Sequence, residues 1–254
     1  MTIPIKTDEE ISAMREGGKI LAEVLEKTCK KAVPGISTYE LDQFAEEIIK
    51  KRGAKPGFKG YQGFPATLCT AINEVVVHGI PRKDKIIKEG DLLTVDCGVI
   101  FKGMYTDAAR SIPIGNISAE KSKLIKIAYK ALEKAIKIAN PGTHLNEIGK
   151  TIQKVTESAG FHVIRDLTGH GVGRRLHEEP IILNYWRGKP GPILKPGMTL
   201  AIEPILAVGT GEIVVLRDKW TIVTKDRSCA VQAENTILIT KTGNEVLTQL
   251  RKEI

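Results

Sequence analysis

Two aspartates, Asp96 and Asp107, lie 11 positions apart in LLTVDCGVIFKGMYTDAARSI, the stretch from Leu92 to Ile112. Aspartate is a poor strand former, yet the residues around this pair (Val95, Val99, Ile100, Phe101, Tyr105, Thr106) favour strands. Lys102-Gly103 suits a two-residue turn, so the stretch predicts a hairpin in which Phe101 faces Met104, Gly98 faces Asp107 and Asp96 faces Ala109. Alternation then puts both carboxylates on one face as diagonal neighbours, roughly 7–8 Å apart at the backbone, with Gly98 leaving room between them. Carboxylates so placed repel unless a proton or a cation sits there. The other reading, two solvated aspartates on an edge strand, stays open on this segment alone.

Three more candidates follow. Glu203 precedes Pro204 in TLAIEPI, a run too apolar for a surface strand, and Glu234 stands just before TILIT (Thr236–Thr240). A carboxylate entering such strands needs a partner. His170 is embedded in TGHGVGRR, where Gly169, Gly171 and Gly173 let the backbone approach whatever the imidazole holds. Taken singly, each residue has an ordinary structural explanation; four carboxylates and one histidine in apolar, glycine-relieved contexts point to a metal site. About four negative charges with one nitrogen donor match two divalent cations better than one, and favour Mn(II), Fe(II) or Co(II), with Zn(II) also fitting. Two metals about 3.5–4 Å apart bind a bridging water, lower its pKa and clamp a tetrahedral intermediate, which is hydrolytic equipment.

Helices must hold these strands. Thr7 with Glu10 reads as a capping box before Ile11, Met14, Leu21 and Leu25 at helical spacing, predicting a helix over 8–32 that Pro34-Gly35 ends. Ser37 with Glu40 opens a second, with Leu41, Phe44, Ala45, Ile48 and Ile49 on its apolar face and Gly53 closing it. Beyond the glycine-rich loop GFKGYQGF come strands at Ala66–Ile72 and Glu74–His78, then the hairpin, a third helix after Ser118 and a fourth after Thr143. The order repeats: Pro34-Gly35, Glu40, Gly53 and Gly90 recur as Pro141-Gly142, Glu147, Gly160 and Gly197, each 107 residues on. At this offset Ile87–Asp96 lies over Leu194–Glu203, so Asp96 lies over Glu203. Two copies of helices followed by strands predict an α+β fold with pseudo-twofold halves, about 8–115 and 116–248, whose helices pack on a curved antiparallel sheet. The site would lie between the halves.

Composition sets bounds. With 254 residues, 42% hydrophobic and 27% charged, the chain reads as an ordinary soluble protein, and no run reaches the ~18 apolar residues of a membrane span. MTIPIKTDEEIS lacks a secretory apolar core, so the cytoplasm is the expected location. Cys29, Cys69, Cys97 and Cys229 are scattered, which argues against structural zinc and for small buried residues in a reducing compartment. The net charge of +8 is spread among acids, without the aromatic interleaving of a nucleic-acid surface.

The set Asp96, Asp107, His170, Glu203 and Glu234, with INEVVVHGIP, VDCGVIFKGMYTDAAR, GHGVGRRLHEEP and AIEPI around it, closely resembles the type I methionine aminopeptidases of the pita-bread fold over roughly residues 5–248. The resemblance implies one catalytic domain over 1–254 that removes the initiator methionine from nascent proteins and peptides with a small second residue, by a metal-bridged water. It implies that the five residues ligate two divalent ions (Co, Mn, Fe or Zn), and that Glu203 doubles as general base. His78 would contact the substrate amide and His177 the developing oxyanion, roles that suit imidazoles able to donate near neutral pH. On residue type alone, His78 reads instead as a strand-end histidine capping a turn before Gly79, and His177 is similar. His144 and His162 read as surface or packing residues.

Tyr61, Phe64, Cys69, Leu176 and Trp220 match positions lining the methionine pocket. Phe58 stands where a small residue is common and Leu176 where phenylalanine is common; losing that aromatic wall removes an S–aromatic contact worth roughly 0.3–1.5 kcal/mol. The expected partners are nascent N-termini and the ribosome surface, with no specific nucleic-acid sequence and no membrane, and the chain is expected to be a monomer. An Xaa-Pro peptidase of the same fold is an alternative. Such chains usually carry a large N-terminal domain, whereas the first helix here is expected near residue 8. A non-catalytic pita-bread binding module would have lost ligands that are all present here.

Overall fold

A computed structural model describes residues 2–249. Four α-helices, α1 (Asp8–Lys31), α2 (Thr38–Lys51), α3 (Ala119–Ile138) and α4 (Asn146–Glu157), pack on antiparallel strands, the expected α+β class. Both predicted capping boxes form: Thr7 accepts from Glu10 N and Ser37 from Glu40 N, each glutamate returning a bond to the cap. Ser118 caps α3 as expected. The fourth helix begins later than the sequence suggests, because Thr143 and His144 are drawn into pairing with the segment before Thr199, His144 bridging Ile193. Among the described residues no helix is long and apolar enough to cross a membrane.

The 107-residue offset recurs in the backbone. Helix α1 ends at Lys31 and α3 at Ile138; strands Lys55–Pro56 and His162–Val163 match, and strands begin at Leu92 and at Thr199. The Ser37–Ile86 bridge corresponds to His144–Ile193. The bond from Gly35 N to Ile87 O (2.9 Å) corresponds to that from Gly142 N to Leu194 O (3.0 Å). Core side chains follow suit. Leu25, Leu41, Ala45, Leu93 and Val95 form one buried cluster, and Leu132, Ile148, Ile152, Leu200 and Ile202 occupy the same places in another.

Among the described residues, hydrogen bonds divide the strands into four antiparallel sheets rather than one continuous sheet. The largest runs Asn244–Val246, Asn235–Ile239, Thr199–Ile202, Thr168–Gly171, Glu178–Leu183; another centres on Leu92–Phe101, flanked by Leu68–Ile72 and Met104–Pro113. These two sheets meet where the Thr236 hydroxyl accepts from Asp107 N (2.9 Å) and donates to Asp107 O (2.7 Å). Beside it Glu234 N donates to Ala109 O (3.1 Å). Arg110 completes the seam, its guanidinium donating to the carbonyls of Ala109, Glu234 and Thr248 and to Asn235 Oδ1. A side-chain hydroxyl and a guanidinium thus do at this seam what a ladder does within a sheet.

Candidate metal centre and substrate pocket

The hairpin has the predicted register: Phe101 pairs Met104, Gly98 pairs Asp107, and Asp96 pairs Ala109. Lys102 and Gly103 both adopt positive φ (48° and 80°), the backbone a two-residue hairpin turn requires. Strand Leu68–Ile72 covers the other edge, with Cys69 opposite Asp96, so the edge-strand reading fails. Both aspartates are buried. The room left by Gly98 goes to Phe58 and not to the carboxylates: a Cβ at Gly98 would lie 2.6 Å from Phe58 Cε1.

The remaining carboxylates come from strand breaks. Glu203 stands between Thr199–Ile202 and Ile205–Ala207, its carbonyl accepting from Asn184 Nδ2 (2.9 Å). Glu234 stands between Ala230–Gln232 and Asn235–Ile239, where Arg110 holds its carbonyl (2.6 Å). His170 lies in the middle of Thr168–Gly171, paired with Ile181 on one side and Ala201 on the other. Its Nδ1 lies 2.9 Å from Gly171 O, so Nδ1 carries the proton and the Nε2 lone pair points into the site. Nε2 is 3.6 Å from Glu203 Oε1 and 3.8 Å from Asp107 Oδ2.

All five residues line one cavity of about 640 Å³. Ligand atoms of Asp107, His170 and Glu234 lie within 4.8 Å of one another, with Asp96 and Glu203 flanking this trio on the cavity wall. Asp96 Oδ1, Asp107 Oδ1 and Glu234 Oε1 are buried without a hydrogen-bond partner. Burial pushes the Asp96 carboxyl up to about 8. Burial first, and then the neighbouring carboxylates, push Asp107, Glu203 and Glu234 up as well. Burial and then His177 lower His170 to about 3, so the imidazole is neutral, the form that binds a metal. Crowded carboxylates with orphan oxygens and one neutral imidazole form a donor set that fits divalent cations.

This arrangement predicts how stability depends on pH once cations are stripped. Each carboxyl has a folded pKa above its unfolded value of about 4, so its contribution is fully present below pH 4 and is lost as pH rises. His170 and His78, lowered to about 3 and about 4, act in the opposite sense up to the ordinary imidazole value of about 6.5. The thermal midpoint of chelator-treated protein is therefore expected to fall chiefly between about pH 6.5 and pH 8, the value for Asp96, and saturating Mn(II) is expected to remove the fall. A flat profile for the stripped protein would contradict the crowding.

The two flanking histidines reach the same cavity. His78 follows strand Val75–Val77 with φ 57°, a left-handed conformation that is uncommon outside glycine and marks a site worth testing for function. Its ring meets Trp220 edge-on at 6.3 Å. Burial, and then His177, lower it to about 4. His177 lies 4.4 Å from the His170 ring, and its Nδ1 is 2.8 Å from the Tyr61 hydroxyl. Tyr61, Phe64, Cys69, Leu176 and Trp220 all line the cavity with Phe58, and Phe64 stacks edge-on against Trp220 at 5.1 Å. His144 bonds Gly191 O and His162 is exposed, so both lie outside the cavity lining.

The sequence did not single out Gln232. Its Nε2 donates to Glu203 Oε2 (3.1 Å) and approaches Glu234 Oε2 (3.4 Å), tying the two glutamates together. The available signal was an amide two residues before Glu234 in an otherwise apolar strand.

Comparison with known proteins agrees with this geometry. Residues 12–241 match metallopeptidase family M24. A methionine aminopeptidase of Clostridium acetobutylicum is 48% identical over 97% of this chain and 98% of its own length. The crystal structure of a methionine aminopeptidase from Thermotoga maritima superposes with a TM-score of 0.96 at 45% identity, covering 98% of this chain and all of that one. A prolidase from Pyrococcus furiosus gives 0.78 at 25% identity, with 98% of this chain covering 66% of that one. The chain belongs to metallopeptidase family M24, among the methionine aminopeptidases.

Proposed function

We propose that this chain releases the initiator methionine from nascent proteins and peptides whose second residue is small. The observation that carries the reading is the convergence of four buried carboxylates and His170 on the floor of a cavity walled by aromatic, sulfur and aliphatic side chains. Asp96, Asp107, His170, Glu203 and Glu234 would hold two divalent ions (Co, Mn, Fe or Zn), which supply Lewis-acid activation of water and of the scissile carbonyl. Glu203 takes the proton of the attacking water and returns it to the amide nitrogen as the C–N bond breaks, leaving free methionine and the shortened peptide. With the Tyr61 hydroxyl donating to Nδ1, His177 carries its proton on Nε2 and donates to the carbonyl oxygen as negative charge develops there. His78 meets the peptide amide from the Trp220 side, and Tyr61, Phe64, Cys69, Leu176 and Trp220 enclose the thioether.

The chain acts, in this reading, as one catalytic domain of two related halves, 8–115 and 116–248; residue 1 and residues 250–254 lie outside the described residues. It works as a monomer in the cytoplasm on chains emerging at the ribosome surface.

Chelator-stripped protein, titrated separately with Mn(II), Fe(II), Co(II) and Zn(II), is expected to recover release of methionine from Met-Ala-Ser, with Leu-Ala-Ser much slower. Preference for Ala-Pro-Ala would move the assignment to an Xaa-Pro peptidase. Folded protein inactive with every ion would overturn the hydrolytic reading.

A further inference from the structure

We propose that the buried ion pair between Lys6 and Glu178 is a brace that positions His177 for turnover. This inference rests on the catalytic role given above to His177. Lys6 Nζ donates to Glu178 Oε2 at 2.5 Å, with 1% and 5% of the two side chains exposed. Glu178 directly follows His177 and opens strand Glu178–Leu183. Its second oxygen, Oε1, accepts from Arg175 N (2.8 Å), closing the turn that presents Leu176 and His177 to the cavity. Glu178 also borders the cavity, and each of its oxygens is engaged in holding this turn.

The lysine is itself held from several sides. Lys6 N donates to Gly197 O (2.9 Å), and Arg174, which bonds Glu10, also donates to Ile5 O (3.2 Å). Its stem lies against Gly173, where a Cβ would collide with Lys6 Cε. Gly173 in turn accepts at its carbonyl from Tyr105 N (2.7 Å) and donates to Arg175 O (3.0 Å). The segment ahead of α1 therefore reaches across 172 residues to clamp the backbone behind His177, while Tyr61 fixes its ring from the front. Stability is a weak reason for such a pair, since a buried salt bridge is often no better than an apolar pair of the same volume. Geometry is the stronger reason, because a charge-assisted bond fixes the backbone of the residue that follows the imidazole.

The test is a pair of variants crossed with His177→Ala. Lys6→Met keeps the stem and removes the ammonium; Glu178→Gln keeps the acceptor for Arg175 N and removes the charge. Each is expected to lower kcat on Met-Ala-Ser roughly tenfold to a hundredfold, the scale of a displaced catalytic group, with KM within about twofold. Neither is expected to lower kcat further in the His177→Ala background. In metal-free protein the His177 imidazole resonances should shift in both variants, a readout independent of activity. If Lys6→Met does not fold, Glu178→Gln decides. Unchanged kcat in the folded variants, or losses that multiply with that of His177→Ala, would overturn the brace alone. Full turnover by His177→Ala would instead overturn the catalytic role on which the brace rests.

Discussion

Alanine at His170 or at Glu203 is expected to reduce methionine release to a thousandth or less, a barrier increase of about 4 kcal/mol, while the chain stays folded. His170 supplies the one nitrogen donor of the trio with Asp107 and Glu234, and Glu203 is both a proposed ligand and the proposed base. Neither side chain is needed to close the strands. His170 sits in a ladder paired on both sides through its backbone, and Glu203 stands in a break whose carbonyl Asn184 holds. Removing Glu203 also takes one member out of a crowded carboxylate group, so the metal-free variant is expected to melt no lower than the metal-free parent. Metal analysis, thermal melts and kcat/KM together check this. Substantial activity in either variant would sink the metal-dependent mechanism.

His78→Ala is expected to lose turnover by roughly a hundredfold or more, the scale of a general acid–base or hydrogen-bonding catalyst, with metal content unchanged. His78 stands outside the trio of clustered donors and reaches the cavity from the end of a different strand. Its φ of 57° raises a second issue, because alanine tolerates the left-handed region poorly. His78→Asn separates the effects, since asparagine accepts that backbone but lacks the imidazole. A catalytic role predicts that both variants lose turnover and that the asparagine variant keeps the parent melting temperature. Recovery of turnover with asparagine would make His78 a backbone residue only.

Where local rules suffice, the sequence was a good guide. Alternation and the Lys102-Gly103 turn fix the Asp96–Asp107 hairpin with no reference to the rest of the chain. The capping boxes at Thr7 and Ser37 are similarly local, and the 107-residue offset that repeats Asp96 as Glu203 is read by laying the sequence over itself. Local rules failed where distant segments compete. The start of α4 moved because His144 pairs with Ile193, and Phe58 took the space at Gly98, which it meets across 40 positions of sequence. Gln232, Arg110 and Lys6 were invisible for the same reason, since their partners become neighbours only after the sheets assemble. Period-two patterning says which face a side chain takes; it does not say which stranger waits there.

The repeat breaks between the paired carboxylates. Asp96 and Asp107 are 11 positions apart, joined by a two-residue turn, whereas Glu203 and Glu234 are 31 apart. The additional chain runs through strands Ile205–Ala207, Ile213–Val215, Ile222–Thr224 and Ala230–Gln232 and carries Trp220. One of those strands, Ile222–Thr224, pairs with Val75–Val77, the strand that His78 follows. A two-fold scaffold grips a cation equally well from either side, but a peptide has a beginning and an end. The excursion sets Trp220 against His78 on one side of the cavity, so the same backbone that makes the halves unequal gives the cavity two unlike ends.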